Sequence, residues 1–371
     1  MSLVNHGTIA ACLAATIAFT TAACSGDDNN HSATDASTSD AATDKDTGNV
    51  DGTTPTHECE STGAVDMVGT WAVLAKYSIS LKGQAGGAAG MCPVDQVSTA
   101  TMLMVADISA GATNGEYAVS AMTCQLDLPQ VSAMAGDCTP DGNKLNVEIQ
   151  IPPALTESWA LVDPSTGKLT LTNDQVKFDW LKFQWGTRNA SLPTWDSGRD
   201  GCGVAVTDLG NTTRCEDKCV TACGDLVDDD KDTYPGITVH LCGLTQNDRD
   251  TGVACRASEP ATAGVTMQGA ARMALETSVK LNGQAASSCR GAGTFASETQ
   301  YTVVGTDTFL SGSRIGTASV QKSLPLFNGV EKDSQWRMLR VDGRHGAANW
   351  ELPSDAARRC ALVRSKINEL Q

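Results

Sequence analysis

Beyond residue 68 the chain alternates apolar and polar side chains over long stretches. In WAVLAKYSISLK, Trp71, Val73, Ala75, Tyr77, Ile79 and Leu81 fall on one face, and Lys76, Ser78, Ser80 and Lys82 on the other. A period of two predicts a half-buried strand. The same period runs through KLNVEIQIP (Leu145, Val147, Ile149, Ile151) and RMALETSVKL (Met273, Leu275, Thr277, Val279, Leu281). In QVKFDWLKFQW the apolar phase follows Val176, Phe178 and Trp180, then moves to Phe183 and Trp185, as a β-bulge between them would produce. Further strands are expected near Thr101–Ile108, Ile237–Leu241, Thr302–Val304, Ala318–Leu326 and Trp336–Val341. So many strands present much edge to hide, so the pattern predicts a mainly β fold, an antiparallel barrel or a two-sheet sandwich.

One segment keeps a different period. After Pro353, with Ser354 as the expected N-cap, Ala356, Cys360, Val363, Ile367 and Leu370 recur at steps of four and three and predict a C-terminal helix with one buried stripe. A disulfide from Cys360 would staple that helix to the β core. Two strand segments echo each other: YSISLKGQA (Tyr77 to Ala85) and TSVKLNGQA (Thr277 to Ala285) agree at five of nine positions, each shortly before a cysteine, Cys92 or Cys289. Either the fold is duplicated, or two alternating strands match by chance.

The first 57 residues read differently. An apolar run from Ile9 to Phe19 is too short to span a bilayer and predicts a signal peptide over residues 1–23. Thr21-Ala22-Ala23-Cys24 resembles the lipobox of bacterial lipoproteins, which implies acylation at Cys24 and attachment to a membrane through that lipid. Residues 24–57 are dominated by Ser, Thr, Asp, Asn and Gly, with nothing to offset the entropy of ordering them, and read as a disordered acidic tether. The net charge of −16 argues against nucleic-acid binding, which needs clustered Lys and Arg. The expected location is outside the cytoplasm, lipid-anchored at the outer membrane or cell surface.

Of 14 cysteines, Cys12 lies in the signal segment and Cys24 at the lipid site, which leaves an even twelve in the exported part. In an exported chain these read as disulfides. The one local pairing expected is Cys124 with Cys138, across a loop containing Pro129, Gly136 and Pro140. CEDKCVTAC spaces Cys215, Cys219 and Cys223 by four, unlike zinc-ribbon or iron–sulfur spacing, so it too reads as disulfide chemistry. The chain therefore divides into a first β half over 58–200, a Cys- and Asp-rich segment over 201–256, a second β half over 257–353 and the terminal helix over 354–371.

The central segment carries the candidate chemistry. In DLVDDDKDTYPGITV, Asp228, Asp230 and Asp232 alternate, followed by Tyr234, whose main-chain carbonyl could complete the first half of a calcium loop. Thr233 stands where such a loop uses Gly, and Val239 where it uses a bidentate Glu, so a calcium ion would need further oxygens, with Asp225, Asp229, Asp248 and Asp250 as candidates. No ligand in this set is a convincing acid, base or nucleophile. A bound calcium would be a structural clamp.

DDDKDTYPGITV, with the upstream SLPTW and downstream WRMLRVDG, resembles stretches in a group of uncharacterised bacterial lipoproteins of myxobacterial type. That resemblance implies a lipid-anchored exported β protein and brings no activity. Gly69-Thr70-Trp71, at the head of the first strand, resembles the Gly-x-Trp signature of lipocalins, which also place a helix after their barrel.

The chain holds no Gly-x-Ser-x-Gly elbow, His-Glu-x-x-His, phosphate loop or dinucleotide fingerprint. His240 and His345 read as surface histidines. The leading expectation is a non-enzymatic envelope protein. Next comes a lipocalin-like carrier of an apolar ligand, then a secreted hydrolase. A pocket lined by Trp71, Tyr77 or Trp180 would favour the carrier, and a cleft with paired carboxylates the hydrolase.

Overall fold

The computed structural model of the chain describes residues 59, 64–84, 91–135, 144–151, 163–189, 191–200, 202, 215, 218–255 and 266–371. The signal segment, Cys24, the tether, His57, Ala85 and Cys138 lie outside the described residues.

Strands dominate. Among the described residues fourteen form one sheet, in which every pairing is antiparallel. In chain order β1 (Gly69–Lys82) pairs β3 (Gln96–Ala110), β3 pairs β4 (Glu116–Asp127), β4 pairs β7 (Ser165–Thr172) and β7 pairs β8 (Gln175–Phe178). Then β8 pairs β13 (Met267–Ser287), β13 pairs β14 (Arg290–Leu310), β14 pairs β16 (Leu326–Arg340), and β16 returns to β1. The circuit of pairings is closed, and its strands follow one another in chain order. Closure satisfies the edges that so many strands would otherwise expose.

β13 makes the circuit possible because its 21 residues can take three partners in turn along one edge. These are β12 (Ile237–Leu244) against Met267–Met273, β9 (Leu181–Trp185) against Leu275–Val279, and β8 against Asn282–Gln284. Toward the β12 end, the route back runs through β6 (Lys144–Gln150), β5 (Val131–Ala135) and β2 (Met91–Pro93). There the Val94 amide donates to the Ser132 carbonyl at 3.3 Å, which carries the β3–β4 ladder on into β2 and β5. Residues 55–371 form one compact unit, with strands from both sides of the Cys-rich segment sharing one sheet. The two echo segments lie on β1 and β13. Tyr77 and Thr277, Ile79 and Val279, Leu81 and Leu281 are all buried in the interior or beside it.

The interior is filled by the alternating faces read from the sequence, including Trp71, Leu145, Phe178, Val279 and Trp336. Outside the sheet a second apolar layer forms. Helix α3 (Ala356–Ser365) sets Cys360 and Val363 against Ala72, Leu74, Leu103 and Val105, and Cys124–Cys360 ties it down. A ten-residue helix is marginal alone, so packing and the crosslink hold it. This layer explains why Ala72 and Leu74 are buried although they lie on the outer face of β1.

Four expectations need correction. Cys124 pairs with Cys360, not Cys138, because its side chain points out of the sheet toward α3. The N-cap of α3 is Asp355, whose carboxylate accepts from the Arg358 amide at 2.9 Å, so the cap lies one residue past Ser354. Residues 317–323 form a helix, α2 (Thr317–Ser323), and not the start of a strand. Val320 and Leu324, four apart, are both buried in the interior cluster, and Pro325 ends the helix. Last, the ladder breaks between β8 and β9 at Asp179–Trp180, one step earlier than the pattern suggested. Leu181 takes the inward position and Trp180 is 43 % exposed.

Cys202–Cys219 and Cys215–Cys223 crosslink the Cys-rich segment internally, Val220 and Leu226 pack it on Ala274 and Val304 of the sheet, and Cys59–Cys289 and Cys242–Cys255 complete the five disulfides among the described residues. The short pair β10 (Thr194–Trp195) and β11 (Val220–Thr221) lies here, and β15 (Ser313–Ile315) pairs the end of β14.

Candidate functional site

The acidic turn converges as its spacing suggested. Ligand oxygens of Asp228, Asp230 and Asp232 lie within 4.8 Å of one another. Asp228 accepts from the amides of Asp232 (3.1 Å) and Thr233 (2.8 Å), and Asp232 accepts from the Tyr234 amide at 2.8 Å. These bonds wind the chain so tightly that Lys231 and Thr233 adopt left-handed backbone, φ 59° and 78°. Thr233 thus occupies the conformation that the turn would reserve for glycine. Gly236 closes the turn at φ 100°, where an added Cβ would sit 2.8 Å from the Met273 carbonyl. Its amide bonds back to Val227 at 3.0 Å.

Asp230 is the centre of this cluster and only 6 % exposed. One oxygen accepts from the Thr238 amide at 2.6 Å; Oδ1 is buried and has no hydrogen-bond partner among the described residues. Burial pushes its carboxyl up to about 7, with the Thr238 amide opposing and the Asp232 and Asp228 charges adding to the rise. An orphaned carboxylate oxygen among two other carboxylates suits a hard cation, which prefers oxygen ligands. The other acidic candidates are engaged elsewhere or stand outside the cluster. Asp229 pairs with Arg188 at 2.7 Å and accepts from the Gly186 amide. Asp248 accepts from the amide of Thr245, the N-cap of α1 (Gln246–Asp250), Asp250 accepts from Gln246, and Asp225 is not among the convergent groups. Tyr234 follows the three carboxylates with its ring under the Arg272 guanidinium, 3.5 Å from its centroid.

The turn delivers the chain directly into β12. Thr238 points at the cluster, its amide on Asp230 and its hydroxyl on Asp232. Its neighbours Ile237 and Val239 point the other way, into an apolar pocket inside the circuit of strands. Tyr77 and Ile79 of β1 and Met273 and Leu275 of β13 line the same pocket, with further walls from β4, β6, β14 and β16. Its free space is about 30 Å³, room for a water or two.

Among the described residues, none that lines the pocket is charged. Its polar groups are hydroxyls. Thr277 and Thr299 lie 3.2 Å apart, Tyr77 is fully buried, and Tyr301 bonds to the carbonyls of Leu324 (3.0 Å) and Pro325 (2.9 Å). Burial first, and then the Asp127 charge, pushes the Tyr77 phenol up; burial also raises that of Tyr301, against the hydrogen bond from Gln84. Gln84 Nε2 bonds to Tyr301 Oη (3.1 Å) and to the Gln321 (3.1 Å) and Leu324 (2.7 Å) carbonyls. The end of α2 is thereby latched over the pocket, where Leu324 forms part of the wall.

Trp71, in the Gly-x-Trp segment, is buried elsewhere in the interior cluster, and its indole donates to the Met67 carbonyl at 2.9 Å. The fully buried Arg340 lies 4.6 Å from the ring centroid and donates to the carbonyls of Ser288, Val68 and Asp66. Gly69 permits this approach, since a Cβ there would meet Asp342 Oδ2 at 2.1 Å. His345 sits against Asp66 at 3.0 Å. Burial raises the Asp66 carboxyl, but the Val68 amide, His345 and the two arginines outweigh it and hold the group low. His240 is half-buried on β12, and that burial lowers its pKa.

Sequence reasoning did not single out Arg340, Gln84 or Tyr301. Arg340 had a readable signal, an arginine in the apolar phase of Trp336 and Met338; Gln84 and Tyr301 had none, because their partners are main-chain carbonyls far along the chain. No protein-family model matches the sequence, and no curated protein matches it significantly.

Proposed function

We propose that the protein is an exported, non-enzymatic cell-envelope protein whose closed circuit of strands works as a β-barrel carrying an apolar ligand. The observation that carries this reading is the uncharged pocket inside the circuit, with Tyr77 in its wall. Calcium, in this reading, binds Asp228, Asp230 and Asp232 and fixes where β12 begins, so it clamps one wall of the pocket and takes no part in chemistry. Acylation at Cys24 would tether the barrel to the membrane by the acidic leader.

The test is a fluorescence titration of the full chain with cis-parinaric acid and with its methyl ester, linear polyenes that brighten in apolar surroundings. Saturable binding of either at one site per chain is expected, and Ile149→Trp, a half-buried wall position, should abolish it without lowering the melting temperature by more than a few degrees. If neither probe binds, the carrier reading is wrong. Mass spectrometry of protein from a lipidating bacterial host should show a diacylglyceryl group on Cys24; an unmodified chain would remove the anchor.

A further inference from the structure

The chemistry of the pocket narrows its ligand, given the carrier reading. We infer that the pocket selects a neutral amphiphile with a single unbranched apolar chain, of the alcohol or ester class, over fatty-acid anions and rigid polycyclic molecules.

Charge supports the first half of this selection. Among the described residues, Tyr77, Thr277, Thr299 and Tyr301 are the polar side chains of the lining, and none carries a positive charge. A carboxylate taken into such a site loses its water without gaining a cation, which buried charges require. The charge that acts on the Tyr77 phenol in the pocket wall is negative, that of Asp127. The whole chain, at −16, adds to that field.

Shape supports the second half. With about 30 Å³ free, the pocket admits a ligand only as side chains change rotamer. Met273, Leu275 and Leu324 can do so, while β13, which carries the first two, is held on both edges by ladders. A thin flexible chain needs only those rotations; a fused-ring molecule needs the ladders to part. A rotation of the Leu324 side chain leaves the main-chain carbonyls that hold the Gln84 amide and the Tyr301 hydroxyl in place, so the latch persists while the wall opens. The neutral hydroxyls of Thr277 and Thr299, 3.2 Å apart in the lining, are the groups that would bond the hydroxyl or ester carbonyl of the ligand.

The test compares three fluorescent probes on the full chain at pH 8. Methyl cis-parinarate should bind at least ten-fold tighter than ionised cis-parinaric acid, and dehydroergosterol, a rigid sterol, should bind at least ten-fold weaker than the ester. Thr299→Lys, at a half-buried lining position, supplies the missing cation and should turn the preference toward the acid. Acid binding as tight as the ester, or sterol binding as tight, overturns this inference and leaves the carrier reading standing. Failure of all three probes to bind overturns both. If the lysine variant does not fold, the ester-to-acid ratio of the unaltered protein still decides.

Discussion

At the scale of single residues, Asp230 and Thr233 carry the most information. Alternating aspartates were legible in the sequence as a turn able to hold a cation, and the three carboxylates do meet. Which of them is buried was not legible, because that depends on Thr238 and on the approach of Gly236 to β13. In calcium-free protein Asp230 holds its proton more tightly folded than unfolded. It therefore contributes stability that is complete below about pH 4 and is lost as pH rises through about 7. Millimolar calcium, by binding the folded state alone, should raise the melting temperature most at pH 8, and Asp230→Ala should abolish that increase. A calcium effect unchanged in Asp230→Ala would remove Asp230 from the site. Thr233→Gly relieves left-handed strain at φ 78° and should add about 1 kcal/mol of stability in chemical unfolding. A loss of stability would show that the Thr233 side chain contributes more than its backbone costs.

At the scale of elements, the alternating runs of β1, β6 and β13 were legible because one apolar face of each turns to the interior, even where the other face of β1 is covered too by the outer layer. The segment 317–323 was misread because Val320 and Leu324 fit a helix or a strand equally when only two bulky residues mark the phase. Helix α3 was legible from its stripe. Its partner was not, since the residue that reaches it, Cys124, lies on the outer face of β4, more than two hundred residues earlier. The crosslink closes a loop of 236 residues, and the double change Cys124→Ser with Cys360→Ser should cost about 2–5 kcal/mol in guanidinium unfolding. Loss of that size, with α3 becoming protease-sensitive first, would match a stapled outer layer. An unchanged midpoint would mean that packing of Val363 and Leu370 suffices.

At the scale of the whole molecule, closure depends on β13 being long enough to carry β12, β9 and β8 in succession, a relation no local pattern reveals. The circuit sets the acidic turn on one side of β12 and the pocket on the other, so one strand serves both. The measurement that tests the account most directly is methyl NMR of isoleucine-labelled full chain titrated with methyl palmitate. Shifts are expected at Ile79, Ile149, Ile151 and Ile237, which line the pocket, with Ile367 of the outer layer unmoved. Shifts at Ile367 alone, or none at all, would contradict a ligand inside the circuit of strands.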